Sequence, residues 1–403
     1  MQAAEMGSAA PTDSRSRLLR TAAIGFALLF VGIGLLALSW NGRKNFLSDY
    51  LSFWAAGHFA LGGEAQLAYD IGRHRAFQEA LVGPLDGNMP FPYPPPFLFV
   101  VAPFSVAPYV PAFALWVAAT ALLYWRAARA YAPAPIVMAQ PAVLMTYLLG
   151  QSAFVVAAIL LAGLRRLSDR PFVAGLILGL MVIKPQLALL LPVAVLAGRR
   201  WSAILGALLS AGGALLAAWA AFGTATYRGF LKLMPIYTGW LQGNGWPWDE
   251  FATPYAFVRY FDGSLSAAMA LQLAFAALAV ALTALAWAQD WREKVPVLAA
   301  ATLLVSPYLL TYDSLLLLVP MAWWLGQRRR TGLVLLIWLG CWLPIGHFLG
   351  MYRGPNTIPL AVLLALGGLL HDRWKASVGG AGRNRGVAAA LALFTPGRNR
   401  DLH

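Results

Sequence analysis

Charge is what this chain has least of. Lysine, arginine, aspartate and glutamate make up 11% of its 403 residues, against about 25% in an average soluble domain. A soluble fold of this length needs a polar surface, and there are too few charged residues to make one. Cysteine is almost absent. Cys341 is the only one and lies within an apolar run, which excludes an intrachain disulfide and a cysteine-based metal site. His58 and His347 are far apart and lack ligand spacing, so no metal site is expected. The chain has no Walker loop, no dinucleotide fingerprint and no G-x-S-x-G elbow. Their absence argues against a nucleotide-driven cytoplasmic activity, and no cofactor is expected. There is no internal repeat at a fixed period and no segment that reads as a soluble domain.

What is present is apolar. Hydrophobic residues make up 60% of the chain and come in runs long enough to span hydrocarbon, which takes roughly 20 residues per helix. Sixteen tryptophans, 14 tyrosines and 21 phenylalanines suit a protein whose aromatics sit at membrane interfaces. The expected fold class is therefore all-α, a polytopic membrane protein. The net charge of +14 does not mark a nucleic-acid binder. The basic residues form short clusters between apolar runs, the pattern of cytoplasmic loops.

Those clusters, at 15–20, 126–129, 165–170, 199–200, 292–294, 328–330 and 373–375, set the expected orientation. Residues 1–18 read as a disordered cytoplasmic N-terminus, 19–371 as a transmembrane domain and 372–403 as a basic, Gly-rich cytoplasmic tail. The run at 21–40 is too long for a signal-peptide core and lacks a small-residue cleavage site, so it reads as an uncleaved first span. Long outer loops are expected at about 41–96 and 223–264. The stretch 97–125, punctuated by Pro103, Pro108 and Pro111, predicts a short re-entrant or interfacial helix followed by a span. Hairpins are expected over 129–165, 170–199 and 295–326, turning near Gly150-Gln151, Lys184-Pro185 and 306–313. Single spans are expected at 202–222, 265–288, 332–349 and 357–370. The total is roughly 12 crossings with both termini inside. Several hairpin arms are only about 12 to 15 residues long, short for a full span. Broken helices of that kind are tolerated at membrane depth where they line a cavity.

This orientation, drawn from the basic clusters alone, puts most of the unusual polar residues on one side. Asp49, His58, Asp70, Gln151, Lys184, Gln186, Tyr312, Asp313 and Arg353 all fall at outer ends. Ionisable residues in or beside a span are costly and tend to pair or to serve a function, so their convergence predicts a polar cavity on the outer face. The roles of single residues stay open at this level. Lys184, in an apolar run before Pro185, either binds an anion such as a phosphate or snorkels to interfacial water. Asp49 is either a base whose pKa is raised by partial burial or a helix cap. Tyr312-Asp313 either binds a polar ligand or caps the following arm. Trp240, Trp246 and Trp248 either stack on sugar rings or form an aromatic belt. Pro92–Pro96 reads as a stiff extended segment.

Four segments in order carry a resemblance. They are Asp49-Tyr-Leu-Ser-Phe-Trp-Ala-Ala-Gly57 with Ala68-Tyr-Asp70, Tyr93-Pro-Pro-Pro-Phe-Leu, Lys184-Pro-Gln-Leu-Ala-Leu-Leu-Leu-Pro192 leading to Trp201, and Ser306-Pro-Tyr-Leu-Leu-Thr-Tyr-Asp313. Together, over about residues 40 to 325, the chain resembles glycosyltransferase family 87, which includes the mycobacterial mannosyltransferases that build phosphatidylinositol mannosides. The resemblance implies a membrane enzyme of the glycosyltransferase C type. Such an enzyme would take a sugar from a polyprenyl-phosphate donor to a lipid or glycan acceptor at the periplasmic face of the bacterial inner membrane, without a metal. Mannose is the family default. It further implies Asp49 as the catalytic base and Lys184, with Arg259 and Arg353, at the donor phosphate. Tyr50, Trp54, His58, Tyr93, Gln151, Gln186, Tyr312 and Asp313 are the expected substrate-binding residues. The rival classes are a secondary transporter or lipid flippase, and an envelope glycan ligase or polymerase.

Overall fold

A computed structural model describes residues 48–243, 246–348 and 350–393. The expected N-terminal segment and first span lie outside the described residues. Within them, all regular structure is helical apart from one isolated antiparallel bridge, Phe251 to Leu310. The expected all-α class is what is seen.

The segment 48–96, expected as a loop, is largely folded. Helices α1 (Tyr50–Leu61) and α2 (Ile71–Val82) flank a 3₁₀ turn at Ala65–Tyr69. Asp70 caps α2, accepting from the Arg73 amide at 3.0 Å. Proline removes a backbone donor and clashes with the preceding turn, and the proline-rich stretch accordingly runs in short pieces. Two 3₁₀ turns, Pro95–Phe97 and Ala102–Phe104, bracket α3 (Leu98–Val101) before α4 (Tyr109–Ala128) runs unbroken. After a short α5 (Ala134–Met138) come α6 (Pro141–Leu149), α7 (Ala153–Arg166), α8 (Pro171–Gly179) and α9 (Leu191–Ala197). The next helices are α10 (Trp201–Gln242), α11 (Pro254–Tyr260), α12 (Leu265–Ala288), α13 (Lys294–Val305), α14 (Leu318–Gly326), α15 (Thr331–Phe348) and α16 (Ile358–Leu393).

Two expectations need correction, and a third is not shown. Among the described residues, three helices are long and apolar enough to cross a membrane: Tyr109–Ala128, Trp201–Trp240 and Leu265–Ala288. Twelve crossings are not shown by the described residues. At 1.5 Å per residue, the arms α6 and α7, with 9 and 14 residues, rise about 14 and 21 Å, short of a hydrocarbon core of about 30 Å. Next, the segment after 222 is not a loop. Gly223, with φ 77° and ψ 170°, is non-helical and separates two helical stretches within α10, 201–222 and 224–242; only glycine adopts that φ readily. Last, the C-terminal helix does not end near 370. Asp372 receives Arg330 through both Nε, at 2.9 Å, and Nη2, at 2.7 Å, and also the Trp324 indole at 2.8 Å. These bonds tie the continuing helix to the bundle.

Membrane character is visible in the packing. Only 17% of the most apolar window of Trp201–Trp240 is buried within the protein. Leu205, Leu208, Leu209 and Leu216 project outward from it, as they do when lipid is the solvent. Where α10 does meet a neighbour, it does so through small residues. A Cβ on Gly175 of α8 would stand 2.0 Å from the Ala203 carbonyl, and one on Gly179 would stand 2.4 Å from the Ala207 carbonyl. Such contacts let helix backbones approach closely without a hydrophobic drive between them. Helix α8 leads directly into the break that carries Lys184. Gly175→Leu should therefore separate α8 from α10 and destabilise the protein by about 2 kcal/mol or more, seen as a lower melting temperature in detergent. An unchanged melting temperature would contradict this packing.

Candidate active site

Three helix breaks meet around one cavity. The first lies between α6 and α7. Gly150 has φ +64°, and a Cβ there would stand 2.7 Å from the Phe113 ring and from the Tyr50 Cβ. Only glycine fits both the conformation and the space. The Trp116 indole holds the Gly150 carbonyl at 2.7 Å. Gln151 follows, its amide oriented because its oxygen accepts from the Ser152 amide at 3.3 Å. Its nitrogen is thereby turned to donate to Asp49 Oδ2 at 2.6 Å. Asp49 precedes α1 but makes no side-chain cap bond to it, so the capping reading falls away.

The second break is at Lys184, between 3₁₀ turns at Leu180–Ile183 and Pro185–Leu187. The third is the stretch after α13, ending in a 3₁₀ turn at Thr311–Leu317. Lys184 Nζ donates to Asp313 Oδ1 at 2.6 Å, and their side chains are 4% and 1% exposed. Asp313 Oδ2 also accepts the Leu310 amide at 3.2 Å. Asp313 therefore caps its own turn and pairs with the lysine at once. The Lys184 ammonium also sits 5.1 Å from the centre of the Tyr312 ring. Lys184 is thus neither snorkelling nor a free cation.

Around these breaks lies a cavity of about 280 Å³. It is lined by Asp49, Ser52, Phe53, Tyr93, Gln151, Ile183, Lys184 and Gln186, by Tyr237, Trp246, Glu250, Phe251, Tyr308, Leu310 and Tyr312, and by residues of the segment from Asn88 to Pro92. That segment is pinned from below. The Ser52 hydroxyl donates to the Pro90 carbonyl at 2.8 Å, the Tyr69 hydroxyl donates to the Tyr93 carbonyl at 2.9 Å, and the Tyr93 hydroxyl shares a hydrogen bond with Ser152 at 2.8 Å. The Pro92–Pro96 stretch thus both shapes the cavity edge and stiffens the approach to α3.

Of the residues expected from sequence, Asp49, Tyr93, Gln151, Lys184, Gln186 and Tyr312 line this cavity, and Asp313 backs it through Lys184. The others do not reach it. Tyr50 is fully buried, stacked on Tyr109 and Trp116. Trp54 donates to the Ala107 carbonyl at 3.0 Å and stacks on His58, which also stacks on Phe77. The alternation of α1 explains this, since Tyr50, Trp54 and His58 share a face one and two turns from each other. Arg259 donates to the Gly263 and Gly243 carbonyls and lies over Trp248. Arg353 is exposed and outside the lining.

Among the polar lining residues, Ser52, Asn88, Tyr237, Glu250 and Tyr308 were missed. Glu250 carried a readable signal. It follows Trp246-Pro-Trp-Asp, an acid among aromatics like Asp49. Tyr237 arrives only because α10 continues past its kink, and its hydroxyl bonds that of Tyr308. Both carboxyls that line the cavity are shifted upward. Burial raises the Asp49 pKa above the usual carboxylate range, and the Gln151 bond opposes that rise. Glu250 has surrendered much of its bulk water to protein, although its side chain keeps open surface. That loss, with the nearby charges of Asp49 and Asp249, pushes its carboxyl up to about 7.

Breaking the buried pair from one side leaves an uncompensated charge, which costs about 3–5 kcal/mol. Lys184→Met should accordingly lower the melting temperature in detergent sharply. The Lys184→Met, Asp313→Asn double variant should recover most of the loss. A double variant that melts as low as the single would show that the pair does not hold the two breaks together.

A family model for glycosyltransferase family 87 matches residues 91–307, more than half of the chain. Tyr93, Gln151, Lys184, Gln186 and Glu250 lie within the match, whereas Asp49, Tyr312 and Asp313 lie outside it. Neither the curated proteins nor the solved structures include a match to this chain. The helical architecture, the apolar lipid-facing helices and the family match agree: the chain belongs to glycosyltransferase family 87 and is a membrane glycosyltransferase.

Proposed function

We propose that this enzyme moves a hexose, mannose by family default, from a polyprenyl-phosphate donor to a lipid or glycan acceptor, with Asp49 as the general base. The cavity opens to the periplasmic face of the inner membrane, and both termini are cytoplasmic, the orientation that the basic clusters favour. The observation that carries this reading is that Asp49 and Lys184, far apart in the chain, both line one polar cavity.

The chemistry follows from that arrangement. Asp49 takes the proton of the acceptor hydroxyl as its oxygen bonds the anomeric carbon. The bond from that carbon to the phosphate oxygen breaks, and polyprenyl phosphate departs with the electron pair. A single displacement inverts the anomeric centre. A raised carboxylate pKa makes Asp49 a stronger base near neutrality. Lys184 faces the phosphate with those ammonium hydrogens that Asp313 does not take. Because the pair is neutral overall, it supplies directed hydrogen bonds more than net positive charge. Such preorganised donors act where charge develops on the leaving group.

The lipid chain has a place as well. An apolar groove of about 670 Å³, lined by Pro96, Phe99, Val155, Ile159 and Ile177, meets the cavity at Ile183, which borders both. Its far end carries Arg126, Arg165 and Arg166, two of the basic clusters that set the orientation. A polyprenyl chain lying in this groove delivers its phosphate to the cavity wall without leaving the membrane.

Asp49→Asn should lower sugar transfer by about 10²–10⁴-fold in purified protein given a panel of polyprenyl-phosphate sugars. Its melting temperature should stay close to that of the parent, because the asparagine still accepts from Gln151. Full transfer by this variant would remove Asp49 as the base.

A further inference from the structure

A helix ordinarily buries an apolar stripe, but α2 buries polar side chains. Its buried residues are His74, Gln78 and Val82, spaced four apart and so on one face. His74 and Gln78 are 1% and 0% exposed. Polar groups are costly to bury unless they are hydrogen-bonded, and both of these reach the segment that returns from α2 to the cavity. Gln78 Nε2 donates to the Met89 carbonyl at 3.0 Å. His74 Nε2 lies 3.3 Å from the Ser52 hydroxyl, which donates to the next carbonyl along, that of Pro90, at 2.8 Å. Nearer the surface, Arg75 donates to the Leu85 carbonyl at 2.7 Å, and Glu79 accepts the Leu85 amide at 3.2 Å. Helix α2 thus holds the returning segment at Leu85, at Met89 and, through Ser52, at Pro90. Asn88, Met89, Pro90, Pro92 and Tyr93 of that segment line the cavity.

The hydrogens in this chain of bonds can be assigned. A hydroxyl has one hydrogen to give, and the Pro90 carbonyl can only accept. The Ser52 hydrogen therefore goes to Pro90, and its oxygen is left to accept from His74. That requires the ring hydrogen to sit on Nε2. We propose that His74, as the neutral Nε2–H tautomer, is a positioning residue for glycosyl transfer: it donates to Ser52, commits the Ser52 hydrogen to Pro90, and so fixes the cavity edge at 88–93 relative to Asp49. The proposal rests on the glycosyl-transfer reading of this cavity. Ser52 is the joint in the arrangement. It stands three residues after Asp49 at the start of α1, and its amide bonds the Asp49 carbonyl at 3.2 Å. The turn that carries the base and the edge of the cavity are therefore tied to each other through one side chain. His74 is not itself in the lining and acts only through Ser52. Reacting atoms must lie about 3–3.5 Å apart, and a misplacement of about 1 Å can cost about 10²-fold in rate, so a loosened edge is felt in the chemical step.

Hydrogen exchange and kinetics on the purified full chain test this together. His74→Phe keeps a flat ring but removes the N–H, whereas His74→Gln offers an amide N–H in its place. In His74→Phe the stretch 83–93 should exchange faster than in the parent, and kcat should fall about tenfold. His74→Gln should bring exchange back towards the parent and recover about threefold or more of that loss in kcat. Ser52→Ala should loosen the same stretch. Because the two residues act through one chain of bonds, the double variant His74→Phe, Ser52→Ala should be no slower than the slower single variant. A histidine that merely fills the core would give losses that add, and the Gln variant would recover nothing. Additive losses, or unchanged exchange over 83–93 in both single variants, would overturn the inference while transfer by the parent still supports the site. Should His74→Phe fail to fold, Ser52→Ala and His74→Gln decide: exchange should rise in the first and stay near the parent in the second, and any other pattern would overturn the inference. If the parent transfers no sugar from any polyprenyl-phosphate donor, the functional reading fails instead, and exchange still shows whether His74 and Ser52 hold the edge.

Discussion

One buried ion pair holds this site together. Lys184 and Asp313 come from two different helix breaks, 129 residues apart, and meet at 2.6 Å with almost no access to water. Neither charge could stay buried alone, because an unpaired ion in such surroundings is severely destabilising. The pair therefore commits the chain after α8 and the chain after α13 to the same place. Asp49 and Gln151, 102 residues apart, add the segment before α1 and the break after α6. These two polar contacts assemble a cavity wall from four separate stretches of sequence.

The same contacts explain why a membrane protein tolerates so much irregular backbone here. Backbone groups left unpaired in hydrocarbon are costly, and non-helical segments survive there only when they are buried in protein or line a wet cavity. The three breaks do both. Asp313 takes the Leu310 amide, the Trp116 indole takes the Gly150 carbonyl, and the Lys184 amide bonds the Met181 carbonyl at 2.9 Å. The half-helices that end at these breaks are each shorter than a bilayer core is thick, and the breaks between them carry side chains that line the cavity. Long helices such as α10 and α12 supply the lipid-facing surface instead.

Much of this was legible in the residues. Apolar runs and basic clusters marked helices and turns, and all three expected hairpin turns are real breaks, because Gly150, Pro185 and Pro307 each interrupt a helix for a local reason. Asp49, Gln151 and Lys184 stood out as polar groups in apolar settings. What failed had longer-range causes. Loops were expected wherever polar and aromatic residues gathered, yet α1 and α2 fold there, and a second helical stretch follows Gly223. The C-terminal tail stays helical because Asp372 finds Arg330 and Trp324, 42 and 48 residues away. Lys184 looked like a free cation because nothing in its own segment reveals a partner in another. Tyr50, Trp54 and His58 pack α1 against α2 and α4 rather than reaching the cavity.

The central claim is that the reacting sugar sits in the cavity between these three breaks, with Asp49 on one side and the Lys184–Asp313 pair at its wall. An experimental structure of the enzyme bound to a non-transferable polyprenyl-phosphate sugar tests this most directly. The account predicts the phosphate within hydrogen-bond reach of Lys184, the lipid chain passing Ile183, and the anomeric carbon placed so that an acceptor oxygen about 3–3.5 Å away also contacts Asp49. A sugar found in another cavity, or one with Asp49 on the far side of packed helix, would contradict it.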